Sequence, residues 1–229
     1  MNERDLPAIV SKPSEDKPAW YYDTHDHDII SLLPTGPESV ILELGCGSGA
    51  TGRAALVAGR AGRYIGIEMD HASADIAKGS LSEVLVGDVS ALDLSRFYES
   101  CDALIASEVL EHLVDPWSVL RKLRACLKPN AIVIASSPNI AHWQIVRNLL
   151  RGEFRYAEYG VMDSTHLRWF TPESYRSLFV DSGFIVEDLL PVRKASWKAS
   201  LLNKITGRRA AHLFMKQMMV IARSGSASP

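Results

Sequence analysis

Seven short apolar runs alternate with helical patterns along this chain, and that alternation restricts its fold more than any other feature. The runs are SVILEL (39–44), RYIGIEM (63–69), EVLVGDV (83–89), DALIAS (102–107), AIVIASS (131–137), GFIVEDLL (183–190) and FMKQMMVIA (214–222). Each has strand length and β-branched content. Between them, apolar residues recur at helical spacing over 50–59, 71–79, 116–127, 141–151 and 172–181. Asp115 is placed to cap the third of these helices and Pro116 to occupy its first turn. Strands alternating with helices predict a doubly wound α/β fold: a Rossmann-like, mostly parallel sheet of seven strands with helices on both faces. The early strands are near-continuous apolar runs, as strands buried on both faces require. The seventh begins beside Lys216 and Gln217, which predicts an antiparallel last strand.

A chain of 229 residues, 47% of them hydrophobic, supports one sizeable core. Residues 1–19 are rich in Pro, Lys, Glu and Asp and, like 224–229, are expected to be flexible; the domain is expected over 20–223. The 25 basic and 27 acidic residues nearly cancel, so no global positive field points to nucleic acid, and none is expected as a partner. Cys46, Cys101 and Cys126 lack CxxC spacing, which argues against a disulfide framework and for a cytoplasmic setting. No run reaches the roughly 18 apolar residues of a membrane span.

The segment ELGCGSGATG (43–52) follows the first strand and opens a helix, so its glycines admit a ligand to the backbone. Gly47, Gly49 and Gly52 satisfy a dinucleotide fingerprint, with Glu68 downstream for a ribose. Glu43 weighs against that reading, because a carboxylate at this turn would repel a pyrophosphate and attract a cation.

On these residues the chain resembles the class I S-adenosylmethionine-dependent methyltransferases, whose first motif is an acid, any residue, then GxGxG. The resemblance implies that Glu68 of GIEMD binds the ribose hydroxyls of S-adenosyl-L-methionine and that Asp88 of VGDV binds its adenine amino group. It extends the cofactor-binding set to Glu43, Gly45, Cys46, Gly47, Gly49, Met69, Val89 and Ser107. Asp70 instead stands at the start of the next helix, where it is expected to cap it. Tyr21 and Tyr22 resemble aromatic residues that close over cofactor or substrate in this family, and an ordinary aromatic pair remains the alternative.

After the fourth run comes ASEVLEHLVDPWSVL, which in this family faces the transferred methyl and the acceptor. The later D-S-T-H-L-R-W-F-T (163–171) lies in an acceptor-side insertion over about 139–170. It resembles small bacterial glycan and sugar O-methyltransferases, which implies a saccharide or glycan-intermediate hydroxyl as acceptor and a place in polysaccharide biosynthesis. Glu108, Glu111 and His112 stand at i, i+3 and i+4. If the segment is helical they share a face, and His166 can complete a site for Mg²⁺ or another divalent cation. The Hen-type 2′-O-methyltransferases have a similar E-x-x-E-H with a later histidine. Without a metal, His112 or His166 is expected to act as general base, with Glu111 and Asp163 completing the catalytic set. Tyr22, Trp143 and Arg168 are the candidate acceptor contacts. If extended, the segment puts Arg168 on the same side as His166, and a salt bridge to Asp163 or Glu173 is Arg168's alternative.

Residues 193–216 are rich in Lys and Arg and contain no acid, so this segment is either a solvated loop or a peripheral contact with an anionic membrane. The sequence therefore predicts an S-adenosylmethionine-dependent O-methyltransferase of oligomeric state left open. A small-molecule or RNA 2′-O-methyltransferase and a non-catalytic S-adenosylmethionine-binding protein are the rivals.

Overall fold

The computed structural model describes residues 27–193 and 210–225. The expectations for residues 1–26, including Tyr21, Tyr22 and His25, for most of the basic segment (194–209), and for the last four residues lie outside the described residues.

The described chain builds a seven-stranded sheet from β1 (Val40–Leu44), β2 (Arg63–Glu68), β3 (Glu83–Val86), β4 (Cys101–Ser107), β5 (Leu127–Pro138), β6 (Ile185–Pro191) and β7 (Gln217–Arg223), in the order β3-β2-β1-β4-β5-β7-β6. Pairings from β3 to β5 are parallel, and β7 runs antiparallel to both β5 and β6. All seven expected strands form, with shifted ends. The third stops at Val86 because Gly87 takes φ 139° and the Asp88 carbonyl accepts from the amides of Ala91 and Leu92, turning the chain away. The fifth gains residues at both ends: Leu127 pairs with Cys101 of β4, Pro138 pairs with Gln217 of β7, and residues 128–130 form an irregular step after Leu127.

Among the described residues six α-helices flank the strands: α1 (His27–Leu32), α2 (Ala50–Val57), α3 (His71–Ala77), α4 (Pro116–Arg124), α5 (Trp143–Leu149) and α6 (Pro172–Asp181). Local chemistry sets their starts. The Asp70 carboxylate accepts from Ser73 N at 2.7 Å and caps α3. Asp115 does the same for α4 through Ser118 N, with Pro116 at the first turn and Arg121, Lys122 and Arg124 near the negative end. Thr171 and Ser174 form a reciprocal capping box at α6.

The sheet has an apolar layer on each side. Leu42, Leu44, Ile65, Ile67 and Leu104 pack with Val119 and Leu123 of α4 and Tyr175 and Phe179 of α6. Ile41, Tyr64, Ala103 and Ile105 pack with Ile29, Ala55 and Ala77 from α1, α2 and α3. Side chains of a strand alternate between faces, so Glu43 falls on the same side as Ile41, toward α2.

Gly66 explains how the loop after β1 lies down on the sheet. It pairs with Glu43 across β1–β2, and a Cβ there would lie 2.5 Å from Cys46 Sγ and 2.9 Å from Leu81 Cδ1. The glycine is a packing requirement of the loop above it. Gly66→Ala should lower stability by about 1–3 kcal/mol through overpacking. Chemical denaturation should show part of the loss recovered when Cys46→Ala is added.

Candidate active site

The strand order reverses between β1 and β4, so the connections leaving these neighbours diverge at their C-terminal ends. The turn after β1 uses left-handed glycines, Gly45, Gly47 and Gly49 having φ of 70°, 53° and 81°. Its amides are spent inside the protein. Those of Gly45 and Cys46 donate to the Ile67 carbonyl, that of Gly49 to Cys46, and that of Gly47 to Glu68 Oε2 at 2.8 Å. These four have no hydrogen left for a pyrophosphate.

Three acids stand on this rim. Glu43 is 4% exposed and accepts from the Tyr64 hydroxyl at 2.9 Å; burial pushes its pKa up to about 8. Glu68, half-buried, also accepts from the amides of Met69 and Asp70. Asp88 is exposed and accepts from Ser90 N, a bond that, with the Ser90 side chain, holds its carboxyl below the ordinary range. Spent amides and acids at three adjacent strand ends suit a ligand with a cation, a diol and an amine. They do not suit a phosphate. The residues therefore fit S-adenosylmethionine. Around them, Val89 and Cys46 are buried, Met69 is exposed and Ser107 is half-buried. Cys46 turns its sulfur toward Gly66, leaving only backbone to the rim.

The second half of the site follows β4. Glu108, Glu111 and His112 do not share a helical face: Glu108 has φ 50°, and a 3-10 turn over Leu110–His112 follows. The Glu108 carboxylate accepts from Ser136 Oγ (2.9 Å) on β5 and Gln217 Nε2 (3.1 Å) on β7. Burial raises its pKa. Glu108 is thus tied to the neighbouring strand ends, and among the described residues the group able to hold a metal is Glu111, His112 and His166, each with one donor atom within 4.8 Å of the others.

Two backbone bonds bring His166 there, the amides of Leu167 and Arg168 both donating to the Glu111 carbonyl. The imidazoles of His112 and His166 meet edge to face, with centroids 4.7 Å apart. His166 Nε2 lies 4.0 Å from Glu111 Oε1, and Glu111 Oε2 accepts from Ser137 Oγ. Both histidines direct Nδ1 at a backbone carbonyl at 3.2 Å, that of Thr165 for His112 and that of Val161 for His166. A carbonyl only accepts, so the hydrogen is assigned to each Nδ1. His112 is half-buried and His166 only 6% exposed.

Arg168 leaves this group. His166 is buried whereas Arg168 is exposed and donates to the Val114 carbonyl, so the segment does not present both to one side, and neither Asp163 nor Glu173 is the partner of that bond. Trp143 is 40% exposed at the start of α5, with the Arg147 guanidinium 5.3 Å from its ring. Tyr22 lies outside the described residues. The sequence reading passed over Tyr64, Ser136, Ser137, Thr165 and Gln217. Thr165 alone carried a signal, inside the D-x-T-H pattern. Among the described helices, none is long and apolar enough to cross a membrane.

Residues 21–189 match the family model described as a methyltransferase domain. A ubiquinone biosynthesis O-methyltransferase of Histophilus somni is 32% identical over 111 residues, 44% of this chain and 46% of the relative. A probable S-adenosylmethionine-dependent methyltransferase of Mycolicibacterium smegmatis is 28% identical over 70% of this chain and 58% of its own length. The chain thus spans about half the length of the curated relatives it matches. Among solved structures, an S-adenosylmethionine-dependent methyltransferase from Mesorhizobium loti superposes with a TM-score of 0.59 at 18% identity, covering 86% of this chain and 96% of that one, a likeness of fold.

The Glu43 carboxyl yields a pH test. Its folded pKa of about 8 lies above the ordinary 4.5, so its contribution to stability is complete below pH 4.5 and is lost as pH rises through 8. Glu43→Gln should flatten the fall in melting temperature between these limits, as read by thermal scans across pH.

Proposed function

We propose that this chain, which belongs to the methyltransferase-domain family, is an S-adenosylmethionine-dependent O-methyltransferase acting on a hydroxyl of a saccharide or glycan intermediate. The observation that carries the reading is the pair of imidazoles, His112 from the turn after β4 and His166 from the insertion after β5, both held by Nδ1 against backbone carbonyls. S-adenosylmethionine, held by Glu43, Glu68, Asp88 and the glycine turn, supplies a methyl made electrophilic by positive sulfur. The chain's own residues then align a hydroxyl and remove its proton. His112 suits proton removal, since it is less buried than His166 and, when neutral with its hydrogen on Nδ1, has its lone pair at Nε2. His166 and Glu111 form its buried wall. Hydroxyl chemistry is supported by the name of the Histophilus relative.

A saccharide is supported by the D-S-T-H-L-R-W-F-T pattern and by the surface of the insertion. Trp143, Tyr156 and Tyr159 are 40%, 58% and 56% exposed there, alongside exposed Arg147 and Arg151. Aromatic faces and guanidinium groups suit the apolar and hydroxylated sides of a sugar ring.

A second reading rests on the donor group Glu111, His112 and His166. Two imidazoles and a carboxylate suit a borderline ion such as Zn²⁺ or Mn²⁺ better than Mg²⁺, and each Nδ1–H on a carbonyl is the outer contact that a metal-binding histidine makes. Such an ion would lower the pKa of the acceptor hydroxyl.

Release of S-adenosylhomocysteine with a panel of methyl glycosides, and with catechol for contrast, tests the acceptor. Methylated glycosides detected by mass spectrometry support the reading; turnover with catechol alone sinks it. Glu68→Ala should weaken S-adenosylmethionine binding roughly ten- to hundredfold in calorimetry. His112→Ala and His166→Ala should preserve that binding and lower turnover roughly 10²–10⁴-fold. Full turnover after EDTA treatment in metal-free buffer removes the metal reading.

A further inference from the structure

We infer that Thr165 is a positioning residue that fixes the tautomer and orientation of His112, and that Asp163 in turn orients the Thr165 hydroxyl. The inference rests on the assignment of His112 to the acceptor site. Asp163 is 1% exposed, and its Oδ1 accepts twice from Thr165, from the amide at 2.9 Å and from the hydroxyl at 2.7 Å. The Thr165 hydroxyl hydrogen is therefore committed to a carboxylate, the strongest acceptor within its reach. Only lone pairs of Thr165 Oγ1 remain for His112 Nδ1, 3.2 Å away. The Thr165 carbonyl stands at the same distance from the same nitrogen. One residue thus surrounds Nδ1 with two acceptors, and the hydrogen is held there.

The segment that carries Thr165 is itself anchored. Asp163 N donates to the Gly160 carbonyl, Ser164 N to Ala157, and Ala157 N to Met162, while Leu167 and Arg168 donate to the Glu111 carbonyl next to His112. The insertion cannot shift without pulling on the 3-10 turn. The buried carboxylate thus reaches His112 through a relay: it orients a hydroxyl, and the hydroxyl orients the ring. The consequence is that His112, when neutral, has its lone pair on Nε2, the form that accepts a proton from a hydroxyl or binds a cation.

Thr165→Val keeps the shape of the side chain and removes the hydroxyl, whereas Thr165→Ser restores the hydroxyl. The measurement is the pair of side-chain ¹⁵N shifts of His112 in the full chain, assigned by their disappearance in His112→Gln. The wild-type spectrum should show hydrogen on Nδ1, Thr165→Val should show a mixture of tautomers, and Thr165→Ser should return to the wild-type pattern. Turnover with methyl glycosides should fall about 10–100-fold in Thr165→Val, through kcat rather than KM, and recover in Thr165→Ser. Hydrogen on Nε2 in the wild-type protein overturns the inference without any variant having to fold. So does a Thr165→Val protein with unchanged ¹⁵N shifts. If His112→Ala keeps full turnover while the shifts behave as stated, the assignment of His112 to the acceptor site fails and the positioning role of Thr165 stands.

Discussion

Everything in the site depends on the parallel pairing of β1 with β4 at the middle of the sheet. Chain direction is shared by the two strands, but the crossovers from them run to opposite edges, so the backbone parts above their C-terminal ends. Leu44 pairs with Ala106, placing Glu43, the glycine turn, Ser107 and Glu108 within a few residues of one line across the sheet. β2 and β3 bring Glu68 and Asp88 to the same rim on one side. On the other, β5 and the antiparallel β7 bring Ser136, Ser137 and Gln217.

Such a rim gathers acids, and the protein gives each a separate environment. Glu43 is buried beside a tyrosine hydroxyl, and that burial pushes its pKa up to about 8. Asp88 stands in water and is ionised. Glu108, Glu111 and Asp163 are met by hydroxyls of Ser136, Ser137 and Thr165. A buried carboxylate without partners costs several kcal/mol, so these hydroxyls are what make the polar half of the site compatible with a folded core. The ordering has a functional direction. The β1–β3 side collects groups suited to a cation and hydroxyls, and the β4–β5 side collects imidazoles suited to a proton or a cation.

Much of this was legible in the chain. The period of the apolar runs predicts all seven strands, and Asp70, Asp115 and Pro116 mark helix starts that the structure shows. The acidic rim was legible because each of its acids lies at or just beyond the end of a strand and so inherits a position from the sheet. The acceptor side was harder to read. Spacing i, i+3, i+4 suggests one face for Glu108, Glu111 and His112 only under helical geometry, and the left-handed Glu108 breaks that premise. Alternate spacing suggests a shared side for His166 and Arg168 only in an extended chain, and the Glu111 carbonyl, gripping two successive amides, bends the segment.

The sequence by itself determined the doubly wound sheet, the capped helices and the acids at successive strand ends, because hydrophobic period and local capping act over a few residues. Only the tertiary structure decided which of the acidic-histidine residues meet. His112 and Thr165 are 53 positions apart, and nothing local connects them. Their contact follows from where the insertion is stitched onto the turn after β4. That is a matter of long-range hydrogen bonds between backbone groups, which every residue carries and which therefore leave no mark in the sequence.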